Sequence, residues 1–437
     1  MLKRPSLHTF LFLVLTTFSS LAQNRTFSPL SRFGLGEINR RGNGQAAGLD
    51  HTGIGLSSDD YINNLNPASY TGLDSLSFLF DAGIMGTKQK ISTELEGQAE
   101  FNNANFDYMT FGFPLGNHGG MAVGVTPFSS TGYSLFQVDP VVPSAQNKVQ
   151  GTGDINRFYL GLSIEPFKNL SIGAHSSYLF GNLRNMNYTI YSQDYQSVPI
   201  GKYRELHIND FYFDFGLQYK IQPSKESTII IGATYTPKTN VKANYTSLTV
   251  ANFSIPNKND LRITGDTLEY TNKTFDNNQL SLPEMMGIGF SYSIKDKFTW
   301  AADYRYEKWS KTKIIDSYSR MNDSWRTSTG LEWIPNARNG RSYFERMKYR
   351  IGGHYGKEYI TVTEYRPDGT KPEFGLYDYG MSFGFSLPIK RSKSTVNLAL
   401  ELGNRSTTDK NVISEKYAKL SFSFTIHEYW FMKSRFD

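Results

Sequence analysis

Cysteine is absent from this chain of 437 residues, which excludes a disulfide framework, a thiolate metal site and the acylated cysteine of a lipoprotein. Long apolar runs are scarce as well. The clearest, Leu11 to Leu15, falls far short of the roughly 20 residues that a membrane-spanning helix requires. It follows Lys3 and Arg4 and precedes the small-residue site Ser20-Leu21-Ala22, so residues 1–22 read as a secretory signal peptide, and its shortness argues against a retained anchor. No later stretch reads as a transmembrane helix. Catalytic signatures are missing too: there is no GxSxG, Walker or HExxH motif, and the seven histidines, His8 and His51 among them, show no metal-ligand spacing. Carboxylate pairs such as Glu358 with Glu364 arise by chance in a chain of this size. Neither an enzyme nor a cofactor is expected. The formal net charge of +6 is mild and scattered, so no nucleic-acid partner is implied.

What the chain does have is 15% aromatic residues and 38 glycines in a sequence that is polar on average. That mixture suits a membrane β-barrel, whose strands alternate outward apolar and inward polar residues between aromatic girdles. Strict alternation recurs along most of the chain. Leu420, Phe422, Phe424 and Ile426 fall on one face of the last strand, with Ser421, Ser423, Thr425 and His427 on the other. Phe211, Phe213, Phe215 and Leu217 alternate in the same way.

Fourteen strands are expected, near 75–88, 104–115, 120–136, 150–165, 169–189, 203–222, 226–247, 282–294, 297–310, 322–334, 347–362, 374–389, 394–408 and 412–432. Short joints alternate with long ones, as periplasmic turns alternate with extracellular loops. Residues 335–346, "PNARNGRSYFER", break that rule by being long where a short turn belongs, and 248–281 reads as a long outer loop. Pro114, Pro166, Pro335 and Pro388 sit where strands meet turns, as expected of a residue that cannot donate to a ladder. A soluble β-sandwich would not need strands of this length.

If the apolar set faces lipid, the inward set contains Asp214, Asp303, Arg305, Glu307, Glu332, Arg350, His354 and Glu401. A cation at the lipid midplane costs about 2–4 kcal/mol, which assigns these charges to the lumen. There they form a polar path or clamp another segment, or are simply paired in a polar interior. Trp309, Trp325, Trp333 and Trp430 are expected in the interfacial girdles. Arg366-Pro367-Asp368-Gly369 reads as a hairpin turn rather than a calcium loop.

Before the first strand lies an irregular polar segment with apolar Phe27, Leu30, Phe33 and Leu35, which must be buried somewhere. The stretches "SPLSRFGLGEI" (28–38), "TGIGLSSDDYINNLNPASY" (52–70), "GVTPFSSTGY" (124–133) and the ending "EYWFMKSRFD" carry a family resemblance. With Asn66-Pro67-Ala68 just before the first strand, the chain resembles the outer-membrane long-chain fatty acid transporter family (the FadL, OmpP1 and TodX group), in its divergent Bacteroidetes branch. The resemblance implies an all-β transmembrane antiparallel barrel (residues 73–437) closed by an N-terminal hatch or plug (23–72), in the outer membrane of a Gram-negative bacterium. It implies uptake of hydrophobic small molecules, such as long-chain fatty acids, along a path that includes the apolar hatch residues and Asn66, Pro67 and Ala68. The alternative is a non-transporting barrel that serves as a subunit of an outer-membrane protein secretion or assembly complex, to which the charged lumen leans. Expected partners are therefore outer-membrane lipid, a hydrophobic ligand, or other outer-membrane proteins.

Overall fold

The computed structural model describes residues 26–93, 97–138, 145–191, 198–253, 264–275, 279–314, 321–337, 342–363, 370–390, 392–409 and 412–429. The expected signal peptide, Glu364, the 366–369 turn and Trp430 lie outside the described residues.

A two-residue strand, β1 (Glu37–Ile38), belongs to the N-terminal segment. Six continuous wall strands follow: β2 (Ser77–Thr93), β3 (Gly97–Pro114), β4 (Gly119–Val138), β5 (Ala145–Phe167), β6 (Leu170–Tyr191) and β7 (Ile200–Ile221). Two interrupted strands come next. One is β8 (Ser227–Thr236), β9 (Thr239–Asn240) and β10 (Ala243–Ala251); the other is β11 (Asp266–Phe275), β12 (Ser281–Leu282) and β13 (Met285–Ile294). The wall ends with β14 (Phe298–Glu307), β15 (Ser324–Trp333), β16 (Lys348–Thr363), β17 (Glu373–Pro388), β18 (Thr395–Thr407) and β19 (Ser414–Tyr429). Antiparallel pairing of β19 with β2, from Tyr429 opposite Ser77 to Ser414 opposite Ser92, closes a barrel of fourteen strands.

The alternation in sequence is the alternation of the wall. Phe211, Phe213, Phe215 and Leu217 point outward, while Tyr212 and Asp214 between them are buried in the lumen. An outward belt of Phe, Leu and Ile costs nothing in lipid, whereas in water it would be a large exposed apolar patch.

Two gaps in the pairing of the wall bear on the N-terminal segment and on the strand assignment. Ladder pairing of β3 with β4 runs only from Met109 opposite Val125 to Pro114 opposite Gly120. Beyond it β4 bulges between Pro127 and Ser129 and turns the Phe128 ring into the interior. Pro127 has no amide hydrogen to give to the ladder, which explains why the pairing stops there. The N-terminal segment takes up the free edge: β1 pairs Glu37 with Ser130 and Ile38 with Ser129, and the Asn39 amide donates to the Phe128 carbonyl at 2.9 Å.

The second place corrects the sequence reading. The strand expected over 226–247 is broken at Pro237 and Lys238, and the presumed loop 248–281 contains β11, which pairs with β10 along its length. At the break both strands turn inward, where β9 and β12 pair with each other and Val241, Leu280 and Leu282 are buried. The alternation signal runs on through such a break because each half keeps its own period of two.

An apolar layer crosses the lumen. In one cluster Leu35 packs with Phe128, Ile155, Leu179, Ile208, Val241 and Leu282; in the other, Leu30 and Phe33 pack with Trp309, Tyr359, Ile360 and Leu376. Trp309 thus contradicts the girdle expectation. It is 0% exposed, stacks on Tyr359 at 4.3 Å between ring centres and donates from Nε1 to Glu307. A short 3-10 turn, Trp309–Lys311, carries it out of strand register, so its parity in the sequence was no guide to its face. Trp333 stays on the lipid-facing side, exposed and close to Tyr349.

Candidate functional site

The residues before the wall meet its inner face strand by strand. Ser28 caps a 3-10 turn, Pro29–Arg32, and its hydroxyl donates to Glu415 on β19. That turn directs Leu30 and Phe33 into the apolar layer. Phe27 is half-buried and stacks on Phe101 of β3 at 5.7 Å, while Leu35 is fully buried.

Below the apolar layer the contacts become ionic. Arg40 donates to Asp378 on β17 and Glu401 on β18, and Arg41 reaches Asp214 on β7 at 2.9 Å. Glu37 accepts from Arg405 at 2.6 Å. Asp50, just past the helix α1 (Gly44–Gly48), accepts from Arg326 at 2.8 Å and contacts His354 Nδ1 at 2.6 Å. The other ring nitrogen of His354, Nε2, lies 3.3 Å from the Arg40 guanidinium and 3.4 Å from Asp378, so the imidazole bridges Asp50 to the Arg40 cluster. Glu332 accepts from Arg350, whose guanidinium in turn donates to Gln45 at 2.9 Å. Arg305 donates to the His51 carbonyl.

Asp303 accepts from the backbone amides of Gly53 and Ile54, at 2.7 and 3.0 Å. Near the end with the short turns, Asp60 pairs with Lys348 at 2.8 Å. Burial pushes its carboxyl up, yet Lys348, with help from Lys393, outweighs burial and holds it below the usual aspartate range.

The Asn66-Pro67-Ala68 stretch ends this segment. The Asn66 carbonyl oxygen caps the turn Pro67–Gly72 by accepting from the Ala68 amide, and its amide group donates to the carbonyls of Ile54 and Leu217. Inward-facing glycines make room for it. A methyl group at Gly216 would lie 2.0 Å from Asn66 Oδ1, and one at Gly173 2.5 Å from the Pro67 backbone.

The expected lumen residues Asp214, Asp303, Arg305, Glu332, Arg350 and His354 therefore all face inward, and all but Glu332 bond directly to the N-terminal segment. Their partners Arg40, Arg41 and Asp50 escaped the sequence reading. The signal was there: "INRRGNGQ" sets adjacent arginines in a stretch whose one apolar residue is Ile38.

One cluster has donor atoms close enough for a metal: those of Asp50, His354 and Glu401 lie within 4.8 Å of one another. The Arg40 guanidinium already contacts two of the three, so the cationic position is filled from within the chain. A cavity of about 180 Å³ remains between segment and wall, lined by Arg40, Arg41, Asp214, Arg305, Arg326, Glu358 and Asp378 together with Leu30, Ile38 and Phe128.

Solved structures with this fold include the Ralstonia pickettii toluene transporter TbuX (TM-score 0.58, 15% identity, covering 89% of this chain and 99% of that one). The P. putida toluene transporter TodX gives 0.59 at 14% identity, covering 90% and 100%. A Pseudomonas aeruginosa FadL homologue gives 0.54 at 12%, covering 90% and 99%. At these identities the likeness is one of fold, a closed antiparallel β-barrel with a lipid-facing outer belt. No curated protein sequence matches the chain. The model of the BamG family matches residues 1–437, the whole length, and the protein belongs to that family.

Proposed function

We propose that the chain is a plugged, non-conducting outer-membrane barrel that serves as a subunit of a larger protein secretion or assembly complex. The observation that carries this reading is the ionic clamp: Glu37, Arg40, Arg41, Asp50 and Asp60 are each paired with a different part of the wall. Truncating one partner of a buried pair strands the other and costs about 3–5 kcal/mol, so these contacts resist loss of any one of them and fix the segment against the wall at several points. The remaining cavity sets guanidinium and carboxylate groups beside apolar ones such as Leu30, Ile38 and Phe128, and an alkyl chain there would have to lie against the buried charges.

The second reading is uptake of hydrophobic small molecules, such as long-chain fatty acids. Its specific support is the short β3–β4 ladder, whose free β4 edge is covered only by the N-terminal segment, with Phe27, Leu30, Phe33 and Leu35 nearby as the apolar part of a path.

Cross-linking separates the two. Ile38 and Ser129 are opposed in the β1–β4 pair, and the absence of native cysteine makes I38C/S129C a clean disulfide pair. In proteoliposomes we expect no flux of radiolabelled fatty acid above protein-free vesicles, with the cross-link open or closed. Flux that closing the cross-link abolishes would replace this reading with uptake.

A further inference from the structure

The joint between β15 and β16 is too long for a periplasmic turn, and its described residues 342–347 lie on the outside of the wall. Tyr349 shares the lipid-facing side with Trp333 and Phe385, its register partners, and packs tilted against the first and edge-on to the second. Its hydroxyl donates to the Phe344 carbonyl at 3.0 Å, which places Phe344 beside the lipid-facing surface and not beneath the lumen. The Tyr343 hydroxyl donates to the Pro388 carbonyl, tying the same joint to the neighbouring β17–β18 turn. A 3-10 turn, Phe344–Arg346, fixes the shape.

The resulting foot shows two kinds of chemistry. Phe344 is 67% exposed and Tyr343 37%, and Ile389 on the adjoining turn is exposed as well. Beside them Arg346 lies over the Tyr343 ring at 5.9 Å and has no carboxylate partner among the described residues, while Lys390 is exposed at the next turn. Aromatic rings that continue a girdle, with cations just beyond them, match the boundary where acyl chains give way to headgroup phosphates.

The geometry points to an anionic-phospholipid site on the periplasmic leaflet, in which Phe344 and Tyr343 enter the acyl–headgroup boundary and Arg346 and Lys390 hold a phosphate. Continuity with the lipid-facing girdle favours lipid as the occupant over a protein partner. A tight two-residue turn would have met the needs of the ladder; Tyr343 and Phe344 add an exposed aromatic surface to it.

The test uses the full chain in nanodiscs with Phe344→Cys, its sole cysteine, labelled with bimane. Lipids brominated near the carbonyl region should quench the label at least twofold, and aqueous iodide should quench it weakly. R346Q/K390Q should lower the enrichment of phosphatidylglycerol over phosphatidylcholine around the chain about threefold, with heat-modifiable gel mobility confirming a folded barrel. A label that iodide quenches freely and brominated lipid does not would overturn the proposal. So would a label that is free in nanodiscs but protected in native outer membranes, which would give the foot to a protein.

Discussion

Arg40 is the residue on which most of the clamp converges. It reaches Asp378, Glu401, His354 and Tyr417 from four strands of the wall, so it substitutes for a cation in a cage of acceptors. R40M keeps much of the side-chain volume but strands two buried carboxylates. The expected loss is about 3 kcal/mol or more, read as a lower urea midpoint for the barrel in lipid vesicles. Asp60 gives a prediction in pH. Its folded value is held down by Lys348, so its contribution is fully present above the ordinary aspartate value of about 3.9 and is lost as pH falls through the lowered folded value. Wild type should therefore lose stability more steeply than D60N on acidification below pH 4, in unfolding midpoints measured from pH 6 to pH 2. Equal slopes would show that the pair contributes nothing.

At the scale of elements, the sequence was most legible where one physical rule acts alone. The alternation of Phe211, Phe213 and Phe215 with Tyr212 and Asp214 located β7 because lipid and lumen impose opposite chemistries on adjacent positions. It could not reveal the break at Pro237, where the two halves of the strand keep the same period, nor that Trp309 leaves the strand for a 3-10 turn. The glycines were legible as small inward residues but not as a mould, since their close partners come from 100 or more residues away. Gly216 tests the mould directly. Valine there would collide with Asn66 Oδ1 and the Pro67 ring, so G216V should expose the N-terminal segment to protease in otherwise folded barrels. A protected segment would show that the fit against β7 is loose.

For the whole molecule, fold and function were legible to different depths. Strand number and closure follow from periodicity and length, both local properties. The clamp depends on pairings such as Arg41 with Asp214 and Asp50 with His354 across 173 and 304 residues of chain, and no local pattern encodes these. On the proposed function the clamp holds the barrel shut, in a chain that shares the fold of the toluene transporters TbuX and TodX and whose cavity sets charged groups beside apolar ones. A shut barrel has its outer surface, its loops and its periplasmic rim left to act with. The most direct measurement is affinity purification of the tagged full chain from native outer membranes in mild detergent, with mass spectrometry of bound proteins and bound lipids together. The account predicts co-purification with at least one other envelope protein at fixed stoichiometry through gel filtration, and no fatty acid in the lumen. A chain that elutes alone with a hydrophobic molecule bound inside would contradict it.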